Sequence, residues 1–352
     1  MSKPGKPLVI TQGDPAGIGP EIIAKTFRDA PELVRGAFVA GDVSVMRRAA
    51  GFVQGPAGVP FPVAAIESAA EAMDVPAGCI PVFQAVEPLS SGSLPPVGEV
   101  HRACGKMAGD SVFWAARAAL RGDVAAVVTA PLHKEALSAA GDAYARFPGH
   151  TELLQAEAAA HLGRPVDEVP VRMMLANDEL RTVLVSIHLS LRAAIEKVTL
   201  GNILQTLRIT HQSVGMALQR APRIGVAGLN PHAGEGGLFG TEELEIIAPA
   251  IAAARSEGID ARGPFAPDTV FMRARNAVHR PGEFDVVVAM YHDQGLIPVK
   301  YLGVEEGVNV TLGLPFVRTS PDHGTAFDKA GSGRADPSSL MAAIRMARQL
   351  AP

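Results

Sequence analysis

Short apolar runs alternate with helix-period stretches along most of the chain. Leu8–Thr11, Ala37–Ala40, Ala125–Thr129, Arg172–Leu175, Thr182–Ser186, Ile224–Ala227 and Asp285–Met290 are dominated by Val, Ile, Leu and Ala. They are too short for helices and lack polar alternation, which predicts strands buried on both faces. Pro20–Arg28, Met107–Leu120, Thr151–His161, Thr199–Leu218, Thr241–Ser256 and Ser338–Leu350 carry apolar residues at helical spacing. Alternation of this kind predicts an α/β protein with mostly parallel sheet and helices on both faces. Glu87–Gly98, rich in Pro, Ser and Gly, reads as a loop.

Composition narrows the function classes. A length of 352 residues leaves room for about two domains. The net charge of −4 lacks the basic surplus of a general nucleic-acid binder. Two cysteines, Cys79 and Cys104, make neither a disulfide framework nor a Cys-rich zinc site, and fit a reducing compartment. The first apolar run is too short for a signal peptide, and no segment reads as a membrane span. A cytoplasmic protein with no membrane and no nucleic-acid partner is the expectation.

Several loops carry candidate chemistry. Gly13 to Glu21 (GDPAGIGPE) links a strand to a helix, and its spacing is not the dinucleotide fingerprint G-x-G-x-x-G. It reads either as a tight turn or as an anion seat at a helix N-terminus. His188, His232 and His292 each follow a predicted strand. Carboxyl ends of parallel strands share one edge, where ligands bind. Three imidazoles there read either as a three-histidine metal site with open positions or as hydrogen-bonded loop residues. Arg318 offers a bidentate grip on a carboxylate or phosphate and Lys300 a point charge, with Asn309 between them; the alternative is solvated surface. In Phe147 to Glu152, Thr151 reads as a helix N-cap with His150 ahead of it.

Taken in order, these segments closely resemble the 4-hydroxythreonine-4-phosphate dehydrogenase family of pyridoxal-phosphate biosynthesis. The resemblance rests on GDPAGIGPE at 13–21, TAPLHK at 129–134, GHTE at 149–152, HLSLR at 188–192 and GLNPHAGEGG at 228–237. It continues through PDT at 267–269, YHDQG at 291–295 and NVTLGLPFVRTSPDHGTAFD at 309–328. It implies two α/β/α domains like those of isocitrate and isopropylmalate dehydrogenases, residues 1–130 plus 305–352 on the nucleotide side and 131–304 for metal, substrate and dimerisation. The active site is then expected in the interdomain cleft of a homodimer.

The resemblance also implies roles. One divalent ion (Zn, Mg or Co) is expected on His188, His232 and His292, drawn from both subunits. The phosphorylated amino-acid substrate is expected on His150, Thr151, Lys300, Asn309 and Arg318. NAD or NADP is expected at Gly13, Asp14, His323, Gly324, Thr325 and Asp328, and proton handling at Lys300, Asp268 or Asp293. The implied reaction oxidises 4-phosphohydroxy-L-threonine to 2-amino-3-oxo-4-phosphobutyrate, which decarboxylates to 3-amino-2-oxopropyl phosphate. Two other enzymes fit the same residues. One is a sibling dehydrogenase acting on a cis-dihydrodiol dicarboxylate or a sugar-acid phosphate. The other is a three-histidine metal hydrolase or lyase without nicotinamide. A passive binding protein fits less well, because it has no use for the histidines.

Overall fold

The computed structural model describes residues 5–53, 58–88 and 94–351, so positions 89–93 of the expected 87–98 loop lie outside the described residues. The chain divides into two compact units, Met1–Pro170 with Leu314–Ala351, and Val171–Gly313.

The strands, in chain order, are β1 (Leu8–Thr11), β2 (Ala37–Gly41), β3 (Val63–Ile66), β4 (Ile80–Gln84) and β5 (Ala126–Thr129) in the first unit. The second holds β6 (Arg172–Ala176), β7 (Arg181–Leu184), β8 (Ile224–Ala227), β9 (Ala261–Phe265), β10 (Val286–Ala289) and β11 (Val308–Leu312), and β12 (Val317–Pro321) returns to the first. The helices are α1 (Gly19–Asp29), α2 (Val43–Phe52), α3 (Arg102–Leu120), α4 (Lys134–Ala139), α5 (Asp142–Ala145) and α6 (His150–Leu162). They continue with α7 (Leu191–Glu196), α8 (Leu200–Leu218), α9 (Ala248–Ser256), α10 (Val270–Ala274), α11 (His292–Leu302) and α12 (Ser338–Leu350).

In the first unit the strand order is β3-β4-β2-β1-β5-β12, and every pairing is parallel. All residues of β1, β2 and β5 are buried, as apolar runs covered on both faces must be. Val9, Phe38, Val127 and Ala115 of α3 form the core, with Trp114 stacked on Phe83 at 4.5 Å and edge-on to Phe38 at 5.9 Å. Because β2 and β5 flank β1 on opposite sides, the order reverses there. Its carboxyl edge is the crevice where such sheets bind ligands.

In the second unit the order is β11-β6-β7-β10-β8-β9. The pairs β7/β10, β10/β8 and β8/β9 are parallel, while β11/β6 and β6/β7 are antiparallel. Leu184, Val287, Ala289, Phe284 and Leu296 of α11 make its core. Asp285 enters β10 with its carboxyl pushed up by burial but pulled further down, well below the usual carboxylate range, by Arg220, Arg223 and the Arg223 N–H.

The boundaries differ from those implied by the resemblance. Residues 131–170 stay with the first unit because α4 and α6 pack on α3. Residues 305–313 stay with the second because β11 pairs along its length with β6. Among the described residues, no helix is long and apolar enough to cross a membrane.

Candidate functional site

The carboxyl ends of β1, β5 and β12 bring one group of candidate residues together. Gly13 follows β1 with φ +72°, and a Cβ there would stand 2.5 Å from the Pro131 carbonyl. Only glycine accommodates both the conformation and this close approach. The next residue ties the β1 and β5 loops, its N–H donating to Pro131 O at 2.9 Å. Asp14 Oδ1 accepts the Ala16 N–H at 2.8 Å, whereas Oδ2 is buried without a partner. Burial pushes the Asp14 carboxyl up to about 6, against the opposing pull of the Ala16 N–H and of His133. Gln12 Nε2 and Thr11 Oγ1 are likewise buried without partners.

Arg318, on β12, is 3% exposed, and its Nε and Nη2 donate to Thr129 Oγ1 at 3.1 and 2.6 Å. Burial brings its guanidinium down to about 10, with Glu152 pulling back upward. His150 opens α6. Its ring is held neutral first by burial and then by the charges of Arg318 and Lys134, against a hydrogen bond with the Ala130 backbone. Its Nε2 is buried and unpartnered. Thr151 lies in the first turn of α6 but is not the cap. The helix begins one residue earlier, after Gly149, with no side-chain cap. Polar atoms buried without partners cost free energy, and their concentration at one edge marks a place built for a ligand or ordered water.

The loop after β12 packs on the first motif. Thr325 is buried, and its carbonyl accepts the Ile18 N–H at 3.0 Å. Phe327 stacks on His133 at 4.7 Å. Glu21, buried in α1, accepts the Gly331 and Ala335 N–H groups at 3.0 Å each and so fixes the chain beyond the loop. His323, Gly324 and Asp328 are exposed on this loop.

The second unit gathers the other group. His188 follows β7, and His292 follows β10 as the first residue of α11. Their ring centroids are 5.6 Å apart in a cavity of about 330 Å³ also lined by Ser186, Tyr291 and Asp293. Asp293 Oδ1 lies 2.7 Å from His292 Nδ1, so the carboxylate engages that ring nitrogen and leaves Nε2 as the other donor atom of the ring. His232 follows β8, the strand beside β10, and stands 6.2 Å from the Phe239 ring. It does not line the cavity. His188 (φ 40°) and His232 (φ 53°) both adopt the left-handed conformation, a cost usually borne where function requires it. Around His232 that conformation runs through residues 232–236, at about 1–2 kcal/mol for each non-glycine. Lys300 is exposed two turns further along α11, Asp268 is exposed, and Asn309 is half-buried on β11. None of the three lines the cavity. Among the described residues, no three His, Cys, Asp or Glu side chains of one chain gather to hold a metal.

The family model for the pyridoxal phosphate biosynthetic protein PdxA matches residues 34–347. The chain belongs to the PdxA family. Within that family it is 52% identical to the 4-hydroxythreonine-4-phosphate dehydrogenase of Beijerinckia indica, over 98% of this chain and 95% of that one. It is 45% identical to the D-threonate 4-phosphate dehydrogenase of Salmonella typhimurium, over 98% and 99%. The crystal structure of 4-hydroxythreonine-4-phosphate dehydrogenase from Klebsiella pneumoniae superposes with a TM-score of 0.85 at 40% identity, covering 99% of this chain and 100% of that one.

Two residues that motif reading passed over support the loops of this unit, Gln294 inside the YHDQG motif and Ser186 outside every motif. Gln294 takes the Met290 N–H on Oε1 at 2.7 Å and donates Nε2 to Gly228 O at 2.8 Å, tying the β10 loop to the β8 loop. Ser186 Oγ donates to Met290 O at 3.0 Å, tying β7 to β10. Both clamp the loops that carry the PdxA histidines. The signal for Gln294 was its place inside YHDQG; Ser186 gave none.

Asp14 yields a pH prediction. Its carboxyl sits above the usual 3.8, so the folded chain loses stability as pH rises from 4 through about 6. Asp14→Asn keeps the acceptor for Ala16 and removes the buried charge. The variant is expected to gain roughly 2 kcal/mol over the parent at pH 8 and nothing at pH 4. Urea unfolding at the two pH values measures this, and parallel pH dependence of both proteins would contradict it.

Proposed function

We propose that this PdxA-family chain oxidises the C3 hydroxyl of 4-phosphohydroxy-L-threonine with NAD⁺ or NADP⁺, giving 2-amino-3-oxo-4-phosphobutyrate. That β-keto acid loses CO₂ to leave 3-amino-2-oxopropyl phosphate. The observation that carries the reading is the buried Arg318 guanidinium on Thr129 beside the neutral His150 with its unpartnered Nε2. Such a group suits a phosphate or carboxylate, since Arg grips either bidentately. Thr151, Lys300 and Asn309 complete the proposed substrate contacts.

Imidazole donors and a site carboxylate suit Zn²⁺ or Co²⁺, and less well Mg²⁺. His188 and His292, with His232 supplied through a second copy, would hold the ion, and Asp293 would keep the His292 tautomer fixed. The ion would supply Lewis acidity to the substrate hydroxyl. Gly13, Asp14, His323, Gly324, Thr325 and Asp328 would seat the nicotinamide cofactor, which takes the hydride. Lys300, Asp268 and Asp293 are the candidates to take the hydroxyl proton, and the residue that does so must present an unprotonated atom to it.

A homodimer is part of the proposal. Leu189 and Leu191 beside His188, Leu238 and Phe239 beside His232, and Ile297 and Tyr301 on α11 expose large apolar surface, Tyr301 to 88%. Apolar surface flanking the histidines is what a second copy would cover.

The 45% identity to the D-threonate 4-phosphate enzyme supports a second reading in which C2 carries a hydroxyl instead of an amino group. Both phosphates should be offered with each nicotinamide cofactor and a divalent ion, following reduced-nicotinamide absorbance. The first reading expects phosphohydroxythreonine to win in kcat/KM by at least about tenfold. Preference for D-threonate 4-phosphate would replace it with the second, and turnover of neither would remove both.

A further inference from the structure

We propose that Glu243 is the positioning residue that holds His232 in its working conformation. The inference rests on the reading of His232 as a metal ligand given above. Residues 232–236 are all left-handed, and His232, Ala233 and Glu235 among them carry a Cβ. L-residues do not sustain such a run unaided, so the surrounding structure must impose it.

Glu243 is placed to impose it. It begins the π-helical turn Glu243–Ile247 ahead of α9 and is 2% exposed. Its Oε1 accepts the Leu229 and Asn230 N–H groups at 2.6 and 2.7 Å, directly ahead of Pro231 and His232. Its Oε2 accepts Asn230 Nδ2 at 2.9 Å, a group that also donates to Glu242 Oε2 at 2.6 Å. The carboxylate lies against bare backbone on both sides. A Cβ on Gly228 would stand 3.0 Å from Oε1, and one on Gly234, inside the left-handed run, 2.8 Å from Oε2. One carboxylate therefore fills the inside of the loop, pinning its entry by three N–H donors and its middle by contact.

The chemistry asks for a carboxylate at this point. Three N–H donors converge on it, and charged acceptors take such bonds most strongly. A glutamine can match the two backbone N–H groups but sets its own NH₂ against that of Asn230. Glu243 is 2% exposed and its oxygens are taken up by Leu229 and Asn230, so its effect is expected to reach the reaction through the His232 loop.

The test compares the full-length parent with Glu243→Gln and Glu243→Ala. In metal-free protein, the Leu229 and Asn230 amides are expected to exchange hydrogen at least about tenfold faster in Glu243→Ala and faster by a smaller factor in Glu243→Gln, with β1 and α12 unchanged. Titrated with Co²⁺ alone, both should bind about 10- to 100-fold more weakly, yet show the parent's visible spectrum at saturation. If the alanine variant fails to fold, the glutamine variant, which keeps the volume, decides. Unchanged amide exchange overturns the proposal, and so does faster exchange with unchanged Co²⁺ affinity. A His232→Ala control that binds Co²⁺ like the parent overturns the metal reading instead, and the exchange data then still decide whether Glu243 holds the loop.

Discussion

Arg318→Ala is expected to lower kcat/KM for the phosphorylated substrate by about 10²- to 10³-fold, mostly through KM, in steady-state assays. Removing one partner from a desolvated charge-assisted contact typically costs about 2–5 kcal/mol, which spans that range. The site is desolvated, since Arg318 is 3% exposed and its guanidinium rests on Thr129. Arg318→Lys separates charge from geometry. Lysine keeps the positive charge but cannot form the planar two-pronged contact, so it should recover only part of the loss. Folding should survive in both variants, because the β5–β12 pairing runs through backbone groups that neither substitution touches. Kinetics of Arg318→Ala indistinguishable from the parent would remove the residue from the substrate site.

Much of the scaffold was legible because its strands are simple. β1 and β8 are continuous buried apolar runs, and α12 is an amphipathic helix with clear ends. The elements that were missed lack those signals. β4 contains Pro81, β9 contains Gly263 and Pro264, and β3 is half-exposed, so none shows a long apolar run. β12 reads Val-Arg-Thr-Ser-Pro, with Arg318, Thr319 and Ser320 buried. There the polar residues of the site displaced the apolar pattern that marks a strand. α11 starts with His-Asp-Gln-Gly and holds Pro298, which hid a helix whose first residue is a candidate ligand.

The candidate site divides the same way. That three histidines each follow a strand could be read from the chain; that those strands are neighbours, and that only two of the histidines share a cavity, could not, because strand order and loop conformation set these. Glu243 was invisible among the glutamates of Thr241 to Glu245. Its role comes from a fold that places it against the backbone of Leu229 and Asn230, 14 and 13 residues earlier.

Mixing two inactive variants, His232→Ala and His292→Ala, is expected to restore activity to about a quarter of the parent's. In one chain His292 faces His188 at 5.6 Å, while His232 neither lines that cavity nor joins a three-ligand group. On the proposed reading the third imidazole comes from a second copy, which the apolar surface beside His188 and His232 is suited to bind. In a two-fold dimer, each site would combine residues of both chains. A heterodimer of the two variants collects both lesions in one site and leaves the other intact. Random reassembly makes about half the dimers mixed, each with one working site of two, which gives the expected fraction. Each variant alone should remain folded and dimeric but inactive, so sedimentation and circular dichroism must accompany the assay. Heterodimers verified by mass spectrometry that stay inactive would show that the ligands do not cross between chains. The metal would then have to be held within a single subunit, by a rearrangement that brings His232 to the other two.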